Sequence, residues 1–335
     1  MRRNLTVYDI AAEAGVSVAT VSRVLNNNDK VAENTRYKIQ SIIDKYDFKP
    51  NEVARSLFKN ETKLIGCILP DITNPYYSTV LLEAEKYALM NGYTMMICNT
   101  RGDSDNYAMY LQTLVERQVT GIIYMGGESV ETMQLHQLLK KYEDRLPIVM
   151  INWSMRDINC FCVQSDEEQG FLMILDQIAK EGYRDVALLA GKRGVMPTDL
   201  KVSLYQEAVH KGIFNDHEEY LIDGEFSVES GMKAMNQLLS LPVRPEVVIG
   251  INDIIAVGIL NSCHMHKLSV PEDIKIVGFD NINLSSVVYP SITTMGHDYE
   301  NLARKAVDLI IDKTALVKSE RIFTFPMEYI CRESF

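Results

Sequence analysis

Early in the chain, Val7, Ile10, Ala11 and Ala14 repeat at i, i+3, i+4, i+7, the spacing of one buried helix face. Thr6 is a suitable N-cap for that run, and Asp9 lies three residues on, near the positive helix end. Gly15 admits a left-handed backbone, so the chain can turn at once. Ser17 caps a second helix with Val21, Val24 and Leu25 inward, and Val18, Ala19, Ser22, Arg23 and Asn26 are left pointing elsewhere. A third helix is expected at about 33–46, with Ile39, Ile42, Ile43 and Tyr46 inward. Three short helices with a glycine turn between the first two make a helix-turn-helix unit, whose second helix here carries a small, hydroxyl-bearing face.

The pattern changes after Lys63. Continuous apolar runs at 64–69, 93–98, 121–125 and 147–151 alternate with amphipathic stretches at about 76–91, to about 119, and 130–142. The rhythm restarts at Phe161 and continues through 186–190, 247–249 and 274–280. Apolar strands alternating with 10–15-residue helices predict parallel sheets covered on both faces. So many units fit two Rossmann-like lobes better than one sheet, with a cleft between them. Gly126-Gly127 lacks Gly-x-Gly-x-x-Gly spacing and reads as a permissive strand-to-helix turn.

Between the two patterns, Pro50 stops one element and Asn51 can cap another, with Val53, Ala54 and Leu57 on one face of a two-turn helix. So short a helix needs a packing partner to form. Domain bounds of 1–49, 50–60 and 61–335 follow from these changes of pattern.

Charge sharpens the division. Net charge is −11 over 335 residues, yet residues 1–60 hold ten Lys and Arg against seven Asp and Glu, a balance of +3. A mildly basic head on an acidic body is expected when only the head meets phosphate. No run approaches the ~20 apolar residues of a membrane span, and Met-Arg-Arg runs straight into the first capped helix, so a cytoplasmic protein is expected. The six cysteines form no Cys-x-x-Cys pair, most sit in apolar strand-like runs, and they read as buried reduced thiols. Cys160 and Cys162 fall two apart on one predicted strand face, without further ligands for a metal.

The run Asp9-Ile-Ala, Ala14-Gly-Val-Ser and Thr20-Val-Ser-Arg-Val-Leu-Asn26 resembles the N-terminus of the lactose/galactose-repressor (LacI/GalR) family of bacterial transcriptional regulators. The likeness continues in Asn51-Glu-Val-Ala-Arg-Ser-Leu57, which is similar to that family's hinge helix, and then along nearly the whole chain. It implies an α/β fold: a three-helix head, a hinge helix, and a two-lobed type I periplasmic-binding-protein-like core. It implies three crossings between lobes, expected near 152–161, 289–292 and 322–327. The N-lobe would comprise about 61–160 and 291–322, the C-lobe about 161–290 and 323–335. Paired hinge helices would lie in the minor groove, with Leu57 as an apolar wedge and Ala54 beside it. Without an appended leucine-heptad tail, a homodimer is expected over a tetramer.

DNA contacts are accordingly expected from Thr6, Ser17, Val18, Ala19, Thr20, Ser22, Arg23 and Asn26 in the head, and Asn51, Ala54, Arg55 and Leu57 in the hinge. Effector contacts are expected beyond the carboxyl ends of strands. Candidates are Asn74, Tyr76 and Tyr77 in Asn-Pro-Tyr-Tyr, Asn152 and Trp153 at a predicted cleft rim, Phe226, Asn252, Asp280 in Gly-Phe-Asp-Asn, and His297. Asn74 and Pro75 also fit a plain helix entry, and both readings can hold together. One departure stands out. Sugar-binding relatives carry arginine in Arg-x-x-Gly-Phe where this chain has Lys201-Val-Ser-Leu-Tyr205, a point charge in place of a bidentate fork. Either a different effector or a degraded site would follow.

The expected partners are double-stranded operator DNA, a small-molecule effector of sugar type, and a second copy of the chain. A purine-like ligand, a sugar phosphate or a protein corepressor are the alternatives. A solute-binding protein fits the body but not the head. An enzyme would need a nucleophile elbow, a His-Glu-x-x-His run or a phosphate loop, none of which occurs in the sequence. His264 and His266, two apart on a predicted helix, make a poor metal pair. No cofactor or metal is expected.

Overall fold

The computed structural model describes residues 6–25, 30–46, 48, 62–126, 133–155, 157–312, 314–317 and 319–335. The chain divides into two compact units, Met1–Thr62 and Lys63–Phe335. Asn26, Gly127 and the segment 50–60, with Asn51, Ala54, Arg55 and Leu57, lie outside the described residues.

In the first unit α1 spans Val7–Ala14, α2 Val18–Leu25 and α3 Glu33–Lys45. Thr6 and Asp9 form a reciprocal capping box: the Asp9 N–H donates to Thr6 Oγ1 at 3.3 Å, and the Thr6 N–H donates to Asp9 Oδ2 at 2.9 Å. Gly15, at φ 66°, supplies the turn. Ile10, Ala11, Ala14, Val21, Val24, Ile39 and Ile42 form the small core, and an ion pair from Lys45 to Glu13 at 2.9 Å ties α3 to α1. Two expectations need correction. Tyr46 is exposed, because it follows the last turn of α3, and Val18 packs partly against the core.

In the second unit β1 (Leu64–Leu69), β2 (Thr94–Asn99), β3 (Gly121–Met125), β4 (Ile148–Ile151), β5 (Phe161–Ser165) and β11 (Ile322–Phe325) form a parallel sheet in the order β11-β5-β4-β3-β1-β2. Both faces are covered. On β3, Ile123 and Met125 meet α4 (Pro75–Met90) and α12 (Tyr299–Ile311), whereas Ile122 and Tyr124 meet α5 (Ser104–Glu116) and α6 (Met133–Tyr142). That is why the central strands read as unbroken apolar runs: β3 and β4 are buried at every position, each large aliphatic contributing about 1.5–3 kcal/mol, while the edge strands β2 and β11 keep exposed positions.

The second sheet holds β6 (Val186–Gly191), β7 (Leu221–Asp223), β8 (Val247–Gly250) and β9 (Lys275–Val277), parallel in the order β7-β6-β8-β9. It is packed by α7 (Glu167–Lys180), α8 (Met196–His210), α9 (Val228–Leu239) and α10 (Asp253–Met265). A short α11 (Asn283–Val287) and the antiparallel pair β10 (Thr294–Gly296) and β12 (Glu328–Ile330) complete this lobe.

The pairing corrects the expected lobe bounds. The sequence reading puts β5 and nearly all of β11 in the second lobe, but Val149 pairs with Phe161 and Ile322 with Cys162, placing both strands in the first sheet. The chain therefore crosses at residue 166, just before α7 enters the second core, and again at 297–298. A third crossing lies at 326–327. Strand pairing is a long-range choice that local hydrophobic pattern does not encode.

The cysteines also need correction. All six are free, with Cys263 on α10, but Cys331 is exposed rather than buried. Cys160 precedes β5, with its Sγ 3.6 Å from Met150 Sδ, while Cys162 Sγ donates to Gln164 Oε1 at 3.2 Å.

Candidate functional sites

On α2, Ala19 and Arg23 are the positions to compare first: Ala19 is exposed, while Val18, Thr20, Ser22 and Arg23 range from exposed to half-buried along the same short helix. Ser17 and Thr20 lie with their hydroxyl oxygens 2.9 Å apart, and the Thr20 N–H donates to Ser17 Oγ at 3.3 Å. The Thr6 hydroxyl donates to Asp9 Oδ2 at 2.6 Å. Thr6 and Ser17 thus serve first as caps that fix the helix starts, with the Thr20 hydroxyl held beside that of Ser17. The short α2 displays one small residue and one cation, a surface able to approach base edges and phosphates closely.

In the second unit, Asn74, Tyr76, Tyr77, Asn152, Lys201, Phe226, Asn252 and Asp280 line one cavity of about 80 Å³. It lies where the ends of β1 and β4 face those of β6 and β8. Asn74 caps α4, its Oδ1 accepting from the Tyr76 N–H at 3.0 Å, and Pro75 occupies the first helical position. This start presents Tyr76 and Tyr77, whose ring centroids are 5.2 Å apart. The side chain of Asn152, a residue at φ 54°, is held by three bonds. Its Nδ2 donates to the Tyr76 hydroxyl at 2.6 Å and to Glu167 Oε1 at 2.9 Å, and its Oδ1 accepts from the Ser165 N–H at 2.7 Å. Burial, with the Glu167 charge adding to it, pushes the Tyr76 phenol well up.

Across the cleft, Lys201 on α8 donates to Glu167 Oε2 at 2.5 Å and lies 3.8 Å from the centroid of the Phe279 ring. Burial disfavours the Glu167 charge, but Lys201 and His297 outweigh it and hold this carboxyl below its ordinary range. Asn252 caps α10 through Oδ1, which accepts from the Ile255 N–H at 3.0 Å. Its Nδ2 makes no hydrogen bond within the described residues, although Asn252 is only 7% exposed. Thr198 is 3% exposed and its hydroxyl is likewise unbonded among the described residues. Phe226 lies against Gly191, where a Cβ would come within 2.7 Å of the ring and where φ is +70°. No side chain fits at 191, so the ring can rest across the end of β6.

Asp280 sits at φ 106°, and burial raises its carboxyl despite the opposing His297 bond. His297 does not line the cavity. It is buried behind it, with Nε2 3.3 Å from Asp280 Oδ1 and Nδ1 2.7 Å from Ser165 Oγ. Trp153 is also corrected: it points away from the cleft into the first lobe's core, its ring centroid 5.5 Å from that of Tyr124. The reading from sequence missed Glu167 and Thr198. The signal for Glu167 was its place in Asp166-Glu167-Glu168 at the end of a strand, where Asp166 takes the cap and leaves the next carboxylate for the cleft. Thr198 carries no sequence signal beyond lying three residues before Lys201.

Known proteins resemble both units. Bacterial regulatory proteins of the lacI family match residues 6–51, and the periplasmic binding protein-like domain matches residues 175–335. The ribose operon repressor of Escherichia coli (strain K12) is 31% identical over 308 residues, 92% of either chain. The HTH-type transcriptional repressor PurR of Photobacterium profundum is 30% identical over 98% of either chain. Among solved structures, the lac repressor dimer bound to operator and the anti-inducer ONPF aligns with a TM-score of 0.88 at 23% identity, covering 99% of both chains. With the capped helix-turn-helix, the two-lobed core and these full-length relatives together, the chain belongs to the lacI family of bacterial regulatory proteins.

Proposed function

We propose that this protein is a cytoplasmic transcriptional repressor, not a catalyst, that binds a near-palindromic operator as a homodimer and is controlled by a sugar in the interlobe cavity. The observation that carries the effector reading is the set of polar atoms left unbonded there: the Thr198 hydroxyl and the Asn252 amide, beside an Asp280 carboxylate with one oxygen engaged by His297. Buried polar groups without partners are costly, and a polyol supplies donors and acceptors in that mixed pattern. The half-buried Phe226 offers a face for the apolar side of a sugar ring. The ribose repressor relative makes ribose the first compound to test. Titrating ribose into the full chain should give saturable heat and a rise in melting temperature. A chain that responds to no sugar refutes the effector assignment.

A second reading has its own support. Aromatic residues face the cavity from both lobes, Tyr76 and Tyr77 from one and Phe226 from the other, and PurR is a relative of similar identity. Such faces can sandwich a planar base. Purine bases titrated in parallel decide between the two, and silence from both directs attention to a protein corepressor.

On DNA, Ala19 suits a thymine methyl, while Ser22 and Arg23 suit base edges and phosphates. The matching half of a second copy requires half-sites on one face of the duplex. Leu57 would open the central step. A Leu57→Gly protein that binds and bends a palindromic site like wild type refutes the wedge. Effector binding would act by its differential affinity for two lobe arrangements, only one of which lets the hinge segments pair.

A further inference from the structure

The charged side chains lining the interlobe cavity, among the described residues, are Glu167, Lys201 and Asp280. Lys201 is the cation of that set, and it is already taken: its Nζ lies 2.5 Å from Glu167 Oε2, with the two side chains 6% and 11% exposed. Glu167 receives a second donor, Asn152 Nδ2, at 2.9 Å. An ammonium and an amide converging on one carboxylate are the groups that would otherwise hold the anionic part of a ligand. Thr198, three residues before Lys201 and thus its neighbour on the same helix face, adds an unbonded hydroxyl to the same cavity. The site is therefore laid out as an anion receptor whose anion is supplied by the chain itself.

Resting on the reading of this cavity as the effector site, we propose that Glu167 is a specificity-determining residue, a built-in anion that closes the cavity to phosphorylated and carboxylated ligands and keeps it for neutral polyols. An incoming phosphate must either displace Glu167 from Lys201 or settle beside Glu167 and Asp280, with no second cation among the described residues that line the cavity. A neutral sugar leaves the ion pair intact and bonds to Thr198, Asn252 and Asp280 around it.

The test titrates inorganic phosphate, ribose and ribose 5-phosphate into the full-length wild type, Glu167→Gln, Lys201→Met and the double variant. Wild type should show no saturable phosphate binding. Glu167→Gln should gain it, and should favour ribose 5-phosphate over wild type by about tenfold or more; removing Lys201 as well should abolish the gain. A Glu167→Gln protein with no gain overturns the proposal. So does phosphate binding by wild type that is lost in Lys201→Met, an arm that needs no folded Glu167 variant. If ribose fails to bind wild type while Glu167→Gln gains phosphate, the sugar assignment falls and the role of Glu167 stands. If ribose binds and the gain is missing, the reverse holds.

Discussion

Replacing Lys201 with methionine isolates the electrostatics of the cleft. The change keeps an unbranched apolar side chain and removes the ammonium, which lies 3.8 Å from the Phe279 ring centroid and 2.5 Å from Glu167 Oε2, leaving one donor, Asn152, on a carboxylate whose side chain is 11% exposed. Breaking a buried pair from one side costs about 3–5 kcal/mol; the remaining Asn152 bond places the expectation near the lower end, about 3 kcal/mol. The sign with pH follows from Glu167. In wild type the carboxyl is held below its ordinary range, so its contribution to stability is complete above the unfolded pKa and is lost only as pH falls through the folded one. Without Lys201, burial is the largest influence left and raises the carboxyl. The variant's folded state then binds a proton that its unfolded state does not, and its deficit widens as pH rises, by at most about 1.4 kcal/mol per unit. Urea unfolding between pH 5 and 8, followed by fluorescence, measures this cleanly. The single tryptophan, Trp153, is buried in the first lobe's core and reports on the Lys63–Phe335 unit. The double variant Glu167→Gln/Lys201→Met should recover most of the loss. A deficit under about 1 kcal/mol at pH 8, or one that grows as pH falls, refutes the assignment of this pair as a buried ionic contact.

Four further expectations follow from the same structure. Asp253, pushed up to about 7 by burial next to Asp280, makes wild type lose stability as pH rises from about 4 to 7, so Asp253→Asn should flatten the melting-temperature profile over that interval. Thr6→Ala removes the capping box of α1 and should destabilise the Met1–Thr62 unit by about 1 kcal/mol, seen by circular dichroism melting and as weaker operator binding in a gel shift. Phe226→Ala should weaken sugar binding about tenfold with a small change in melting temperature, because the ring is only half-buried. Arg23→Ala should cost about 1–3 kcal/mol of operator affinity while leaving ribose titrations unchanged.

Local features were legible from the residues because local rules produce them. The Thr6–Asp9 box, the Gly15 turn and the Asn74-Pro75 entry into α4 each depend on neighbours within four positions. The same holds for the doubly buried strands of the first sheet, whose apolar runs leave no polar face to confuse with a surface strand. Eight of the ten cleft residues were reachable too, since strand ends in parallel sheets point at one cleft. Trp153 failed on parity. It follows Asn152 directly, and with Asn152 in a left-handed conformation turned to the cleft, the next side chain goes to the opposite face and packs on Tyr124. His297 failed on depth: it stands behind Asp280, where its bonds to Asp280 and Ser165 shape the wall without forming the surface.

The misplaced lobe boundary and the missed Glu167 share one cause. Assigning β5 to the second lobe makes residue 167 an ordinary first-turn acid on a helix deep within that lobe, favourable there for the helix dipole alone. Pairing β5 with β4 moves the crossing to residue 166 and turns the same carboxylate into a group at the joint between lobes. From there it accepts from Asn152 on one lobe and from Lys201 on the other. The bond that spans the joint is the one from Asn152, which a change in lobe separation must stretch, whereas Glu167 and Lys201 stand on helices that pack in the same lobe. Because the Glu167 carboxylate is nearly dry, losing the Asn152 donor is costly unless water or ligand replaces it. Lys201, a point charge without an arginine's fork, is thus a single donor committed to Glu167.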